Sequence, residues 1–349
     1  MFDKLFSLVS HDLAIDLGTA NTIVLVLGKG IVIREPTVVA ISKKTKDILA
    51  IGQDARNMVG KTPQNIVVVR PLKDGVISDY YTSEKLLEHF IDKVHESPQK
   101  FPASLFNFYR PRVVLGVPSG ITQVEQRAVS DAAKNAGARQ AFLLEEPMAA
   151  SLGAGLPVED PKGSLIVDIG GGTCEIAVIS LGGIVVSKSV KIAGYEIDQK
   201  VIEFSRSEYN LLIGERTAED IKIRIGSVYN PSKDKKSSLR GRDLKTGLPK
   251  SVEISSRDLY PAIILPVKQI IEQIKYLIEE TPPELVADIL KSGITLAGGG
   301  SLLKGFDKLL AKETNIAVTT AEDPMTCVVK GCAKALKDGR LLNKVKVGG

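Results

Sequence analysis

The sequence predicts an α/β protein of two related lobes, on three observations. Strand-like and helix-like periodicities share one chain, a block of three short strands occurs twice, and an Asp-led, glycine-rich loop follows the first strand of each block. At 349 residues the chain exceeds one average domain and contains no linker long enough to separate independent ones.

The first block runs through Leu13-Ala-Ile-Asp-Leu17, Thr22-Ile-Val-Leu-Val-Leu27 and Gly30-Ile-Val-Ile33. Its glycine joints suit hairpins, so an antiparallel meander opens the fold. From Thr82 to Val94, apolar residues recur at helical spacing (Leu86, Leu87, Phe90, Ile91, Val94). Pro111 and Pro118 bracket the buried-strand run Val113-Val-Leu115, and the next helix is predicted over 123–136. The second block begins at Ser164-Leu-Ile-Val-Asp168 and continues over 175–181 and 183–190. Matching Ile15-Asp-Leu-Gly18 to Val167-Asp-Ile-Gly170 sets Thr19 against Thr173, and Asn21-Thr-Ile-Val24 against Glu175-Ile-Ala-Val178, with a two-residue gap. Helices follow over 199–209, 217–225 and 259–280, the last stopped by Thr281-Pro-Pro283. The Lys-, Arg-, Ser- and Gly-rich stretch 230–250 reads as a solvated hairpin tip.

Composition excludes several classes. With 44% apolar and 25% charged residues the chain is an ordinary globular protein, and a net charge of +5, from 46 basic and 41 acidic residues, gives nucleic-acid binding no support. Cys174, Cys327 and Cys332 are odd in number and lack metal-ligand spacing, which suits buried thiols in a reducing compartment. No apolar run approaches the roughly 20 residues of a spanning helix. The start lacks the features of a signal peptide, so a cytoplasmic protein is expected. His11, His89 and His95 form no metal or nucleophile pattern. Ala55-Arg-Asn-Met-Val-Gly-Lys-Thr62 approaches a P-loop but lacks the first glycine and a leading strand, and Pro63 stands where the helix should begin.

Three glycine-rich segments each follow a strand: Asp16-Leu-Gly-Thr-Ala-Asn21, Asp168-Ile-Gly-Gly-Gly-Thr173 and Gly298-Gly-Gly-Ser301. Gly18, Gly170, Gly171, Gly172, Gly298, Gly299 and Gly300 remove Cβ bulk so that successive N–H groups can converge on phosphate oxygens. The hydroxyls of Thr19, Thr173 and Ser301 are expected to add donors, with Ala20 and Asn21 completing the first loop. Asp16 and Asp168 repel a polyphosphate unless a cation intervenes, so Mg²⁺ held largely through water completes the pattern.

These loops resemble the two phosphate segments of the actin, sugar-kinase and chaperone ATPase superfamily, and Gly298–Gly300 resembles its adenosine segment. The chain is similar to the MreB family of bacterial filament proteins over nearly its whole length, including Arg70-Pro-Leu-Lys-Asp-Gly-Val76, Glu145-Glu-Pro-Met-Ala-Ala150, Gly214-Glu-Arg-Thr-Ala-Glu219, Pro282-Pro-Glu-Leu285 and Leu296-Ala-Gly-Gly-Gly-Ser-Leu302. The resemblance implies an actin-like two-lobed fold with duplicated ribonuclease H-like subdomains and a nucleotide cleft between them. The implied boundaries are 1–33, 72–151 and 326–349 for subdomain IA, 34–71 for IB, 152–190 and 256–325 for IIA, and 191–255 for IIB. It further implies ATP as the ligand, Glu219 and Lys222 beside the adenine and ribose, Glu146 positioning the hydrolytic water and Thr173 as helper hydroxyl. The Glu-x-x-Lys spacing taken alone reads as a surface ion pair. Cys174 stands where the family usually carries Thr, and Tyr195 where it commonly carries an acid.

The implied activity is slow ATP hydrolysis coupled to polymerisation, in a cytoskeletal protein that organises wall synthesis and maintains rod shape at the inner face of the cytoplasmic membrane. The implied partners are further copies of the chain, in head-to-tail protofilaments paired antiparallel, and wall-elongation membrane proteins. Val124 is the apolar candidate on the pairing helix, unless it simply packs internally. Phe2, Leu5, Phe6 and Val9 fall at i, i+3, i+4 and i+7, an amphipathic pattern suited to a membrane interface or to the protein's own surface. Lys337, Arg340, Lys344 and Lys346 form a basic tail, expected to be solvated disorder or else an aid to binding at anionic lipid. A sugar kinase shares both loops, but the chain has no separate sugar-binding insertion or clear catalytic Asp. A chaperone ATPase needs an appended peptide-binding domain, and a scaffold without hydrolysis is the third rival.

Overall fold

The computed structural model describes residues 11–95, 110–231 and 235–347. The chain divides into two compact units, Met1–Asp160 with Ser180–Ile184 and Thr326–Gly349, and Pro161–Ile179 with Val185–Met325.

In the first unit, β1 (Leu13–Leu17), β2 (Asn21–Val26) and β3 (Gly30–Pro36) form the expected antiparallel meander. Next come β4 (Val39–Ser42), β5 (Ile48–Ile51), helix α1 (Gln53–Met58) and β6 (Ile66–Val69), whose strands make a small sheet of order β5-β4-β6. Helix α1 occupies the P-loop-like stretch, where a phosphate loop would have to be open. A two-stranded turn, β7 (Leu72–Lys73) and β8 (Val76–Ile77), leads into α2 (Tyr80–His95). Strand β9 (Arg112–Val117), α3 (Gln123–Asn135), β10 (Gln140–Glu145) and α4 (Glu146–Ala154) complete this part. The main sheet has the order β10-β9-β1-β2-β3, with β9 parallel to both β1 and β10. Leu13, Ala14 and Ile15 are fully buried because a central strand must be apolar on both faces.

The second unit repeats this plan. Strands β11 (Ser164–Ile169), β12 (Cys174–Ser180) and β13 (Gly183–Val190) form its meander. Helix α5 (Gly194–Tyr209), β14 (Leu211–Leu212), α6 (Glu215–Ile225), β15 (Lys236–Asp243) and β16 (Pro249–Ser255) follow, with a second small sheet of order β14-β15-β16. Then come α7 (Ser256–Glu280), α8 (Pro283–Ser292), β17 (Ile294–Ala297), a 3₁₀ turn over Gly299–Leu302, α9 (Phe306–Thr314) and β18 (Val318–Thr320). The sheet order β13-β12-β11-β17-β18 copies that of the first unit strand for strand. In both, a small sheet is inserted after the third strand. The stretch 230–250 is more than a hairpin tip, because β15 and β16 pair from Lys236–Ser255 to Arg242–Pro249 and only a short turn joins them.

Strand register corrects the gapped alignment of the two blocks. Asp16 lies opposite Ile23 and Asp168 opposite Glu175, so the hairpins are equal in length and superimpose without a gap. Gly18 therefore corresponds to Gly170, Thr19 to Gly171, Ala20 to Gly172 and Asn21 to Thr173. Matching the two threonines by identity had shifted the second strand by two residues, which preserves inside and outside and so leaves the hydrophobic pattern intact.

The last described elements, α10 (Cys327–Lys337) and α11 (Gly339–Val345), belong to the first unit, so Lys337, Arg340 and Lys344 lie on helices and not in the disordered tail expected, because buried Leu341 and Leu342 anchor α11. Helix α10 crosses α4 at backbone contact: a Cβ on Gly153 would fall on the Cys327 carbonyl, and one on Gly331 would fall on the Ala149 carbonyl. Cys327, Cys332 and Cys174 are buried and form no disulfide, as their sequence context implies.

Candidate functional site

In the first unit the Asp16 loop leaves the C-terminal end of β1, where neighbouring parallel strands diverge and leave room for a ligand. The Asp16 carboxylate forms no hydrogen bond or ion pair among the described residues, and loss of hydration pushes its pKa up to about 7. That is an acid held in place with its charge uncompensated, the state a cation would relieve. Gly18 is required here, since a Cβ would sit 2.8 Å from the Asn21 carbonyl oxygen. Thr19 is buried, and its Oγ1 accepts the Gly75 N–H at 3.0 Å. Gly75 has φ of 78° and belongs to the Arg70–Val76 segment, so that segment acts as a strut for the loop. The loop's other strut is buried Thr37, whose Oγ1 donates to the Gly18 carbonyl at 2.6 Å and whose N–H donates to the Ala20 carbonyl at 3.0 Å.

Glu146 opens α4, with Pro147 in its first turn and Glu145 as the N-cap. Its Cγ lies 3.5 Å from where a Gly116 Cβ would stand, so the side chain runs beside the end of β9. The buried Cys332 thiol feels the charges of both Asp16 and Glu146, though burial is the main reason its pKa stands well above the ordinary thiol value. Asp16 and Glu146 thus come together around α10.

In the second unit Asp168 is the last residue but one of β11, 7% exposed, and Thr173 is 6% exposed. The glycines between them turn back through a Gly170 N–H to Thr173 carbonyl bond of 2.8 Å. Gly298 has φ of 75°, and a Cβ there would collide with Asp168 Oδ1 and the Ile169 carbonyl. The Gly298–Ser301 segment is therefore pressed against the end of β11, beside the Asp168 loop. The Ser301 hydroxyl donates to the Gly298 carbonyl at 2.6 Å and so closes the 3₁₀ turn over Gly299 and Gly300.

Lys222 is redirected. Its Nζ lies 2.8 Å from Asp198 Oδ1 and donates to the Gly194 carbonyl at 3.0 Å, so it braces α5 rather than forming the surface ion pair its spacing suggested. Asp198 is 4% exposed, and burial raises its pKa to about 6 against the opposing pull of Lys222. Glu219, half-buried on α6, adds a smaller upward push on Asp198. Tyr195 contributes its backbone N–H to the Gly171 carbonyl at 2.8 Å. Glu175, 1% exposed on β12, accepts the Ser189 hydroxyl at 2.6 Å directly across the ladder from Asp168. Sequence reasoning gave no role to Thr37, Gly75, Asp198 or Glu175, although the family resemblance covers Gly75 in the Arg70–Val76 segment and Asp198 at the end of the segment that holds Tyr195.

Val124 is 78% exposed on α3, which removes internal packing as its explanation. Phe2, Leu5, Phe6 and Val9 lie outside the described residues. No described helix is long and apolar enough to cross a membrane. Among the described residues no cluster of three His, Cys, Asp or Glu forms a metal centre, so a cation here would depend on phosphate and water for most of its ligands.

A family model described as MreB/Mbl protein matches residues 10–344. The cell shape-determining protein MreB of Escherichia coli K12 is 48% identical over 341 residues, 97% of this chain and 96% of that protein. The cell shape-determining protein Mbl of Bacillus subtilis 168 is 46% identical over 338 residues, 97% and 99% of the two chains. The crystal structure of MreB5 of Spiroplasma citri bound to AMPPNP matches with a TM-score of 0.88 at 38% identity, covering 96% of this chain and 98% of that one. A MamK double helical filament, at 22% identity and a TM-score of 0.76 over 94% of this chain and 99% of that one, shares the fold.

Proposed function

The chain belongs to the MreB/Mbl family, with its actin-like fold, and from that premise we propose that it is an ATP-dependent cytoskeletal protein whose polymerisation is coupled to slow hydrolysis. The observation that carries this reading is the pair of hairpins in identical register, each led by an Asp at the end of a central strand and closed by glycines. Turns that serve only to reverse the chain have no reason to repeat that chemistry in two sheets of one topology. The nucleotide carried by the Spiroplasma relative supports the same assignment.

In this reading the Asp16–Asn21 and Asp168–Thr173 loops donate backbone N–H groups to phosphate oxygens, and Gly298–Ser301 supports the nucleoside through its backbone. Asp16 and Asp168 would be the acids that hold Mg²⁺, and Asp16 suits the role because its charge lacks a partner. A bound cation would supply charge neutralisation to the phosphates. Glu146 orients the attacking water, with Thr173 as helper, and positioning plus charge neutralisation supplies most of the rate. Glu219 lies on the adenosine side. The four-part division set out from the sequence fits the two inserted small sheets. Filament pairing through Val124, contact of Phe2, Leu5, Phe6 and Val9 with the inner face of the cytoplasmic membrane, and a role in wall elongation and rod shape complete the proposal.

The test is phosphate release by purified protein with Mg-ATP. Glu146→Ala is expected to slow turnover about a hundredfold while ATP affinity is retained. Undiminished turnover in that variant overturns the role of Glu146, and a wild-type chain that binds no ATP overturns the function.

A further inference from the structure

Both phosphate loops are held from the same side by the segment that follows the third strand of their meander. In the first unit that segment is Thr37, immediately after β3: its Oγ1 donates to the Gly18 carbonyl and its N–H to the Ala20 carbonyl. The Thr37 hydroxyl proton is thereby committed, so Thr22 Oγ1, 2.9 Å away, donates to Thr37 and fixes its rotamer. In the second unit the segment is the start of α5, shortly after β13. The Gly194 N–H donates to the Gly170 carbonyl at 3.2 Å and the Tyr195 N–H to the Gly171 carbonyl at 2.8 Å. Gly170 corresponds to Gly18, so one tether falls on the same carbonyl in each repeat.

The second tether needs bracing, because two N–H groups at a helix start bind only as firmly as that start is held. Lys222 supplies the brace by gripping the Gly194 carbonyl from α6 while paired with buried Asp198 one turn further along α5. Gly194 packs in ordinary contact with both, a Cβ there lying 3.4 Å from the Gly170 carbonyl and 3.5 Å from Lys222 Nζ. The first amides of α5, which in many proteins receive an anion, are spent here on loop carbonyls.

The consequence lies in the peptide plane. In a trans peptide the carbonyl of one residue and the N–H of the next point in opposite directions. Tethering the carbonyls of Gly18, Ala20, Gly170 and Gly171 therefore turns the N–H groups of Thr19, Asn21, Gly171 and Gly172 to the opposite side of each loop. We propose that Thr37 and the Lys222-braced start of α5 are matched positioning devices that aim the loop amides at a nucleotide's β- and γ-phosphates. This rests on the nucleotide-binding reading and assigns Lys222 to the phosphate loop rather than to the adenosine.

The experiment measures ATP and AMP affinities of the full chain by calorimetry or by displacement of a fluorescent ATP analogue. AMP lacks the phosphates these loops are proposed to hold. Thr37→Val, nearly isosteric, is expected to weaken ATP about five- to tenfold with AMP unchanged, the loss of one well-placed hydrogen bond, and Thr37→Ser to restore ATP affinity. Lys222→Met combined with Asp198→Asn, so that no buried charge is orphaned, is expected to weaken ATP selectively as well. Unchanged ATP affinity in both variants, or ATP and AMP weakened in step, overturns the proposal while leaving nucleotide binding intact. A wild-type chain that binds neither nucleotide removes the reading beneath it.

Discussion

Asp16 carries the sharpest consequence at the scale of a single residue. Its folded pKa of about 7 lies above the ordinary carboxylate value because burial disfavours the charged form. The sign follows directly: the folded protein binds this proton more tightly than the unfolded chain, so the contribution is greatest at low pH and is lost as pH rises from about 4 through 7. Without Mg²⁺ or nucleotide, Asp16→Asn should therefore stabilise the protein by about 1–3 kcal/mol at pH 8 and have little effect at pH 4. Thermal melts at the two pH values check this, and equal shifts at both would mean that the carboxyl is well hydrated. The Asp198–Lys222 pair has a different character. There a buried acid is balanced by a cation whose other bond reaches a main-chain carbonyl, so the pair serves geometry as much as charge. The Asp pair and the glycine loops were legible as candidates because their residue types are chosen for chemistry, and Glu146 only through the family resemblance. Thr37 was not, because its importance comes from a main-chain carbonyl distant in sequence, and a backbone acceptor leaves no mark in a sequence. The Glu-x-x-Lys spacing on α6 placed two side chains on one face but gave no sign that Asp198 stood opposite.

At the scale of elements, hydrophobic periodicity located both three-stranded meanders, β9 and the helices α2, α3, α5, α6 and α7, while elements such as β4–β6, β18 and α9–α11 had no prediction. Helix α5 begins well before the predicted 199, because Gly194 and Tyr195 find their partners in loop carbonyls rather than in a side-chain cap. Helix α7 starts at Ser256 through a capping box with Asp258, and runs through Pro261 and Pro266 where local rules expect a break. Its buried face, Ile263, Val267, Ile270, Ile271 and Ile274, supplies the tertiary packing that overrides the two prolines. The crossing of α4 and α10 follows from two glycines that sequence reasoning left unremarked, since a lone helical glycine reads as a weakness until the partner backbone is seen against it. Gly331→Ala should cost about 3 kcal/mol or more, because its Cβ meets main chain rather than a movable side chain. Denaturant unfolding measures this, and a variant as stable as wild type would mean that the two helices separate readily.

For the whole molecule, the duplication is the organising fact. Two five-stranded sheets share one order, and each carries its Asp-led hairpin in the same register and its inserted small sheet after the third strand. The repeat was legible in the sequence, while its gap-free register was not, because a two-residue slip preserves the inward and outward alternation on which pattern matching relies. Self-association was beyond sequence patterning, for an interface between copies need only place a residue such as Val124 on the surface. Membership of the MreB/Mbl family brings the expectation of a filament whose assembly depends on nucleotide. Electron microscopy of the purified chain on lipid monolayers, with and without Mg-ATP and alongside Asp168→Ala, tests this most directly. The account predicts paired, membrane-bound filaments with Mg-ATP that are lost without nucleotide and in the variant. Monomers in every condition, or equal filaments in all of them, would contradict it.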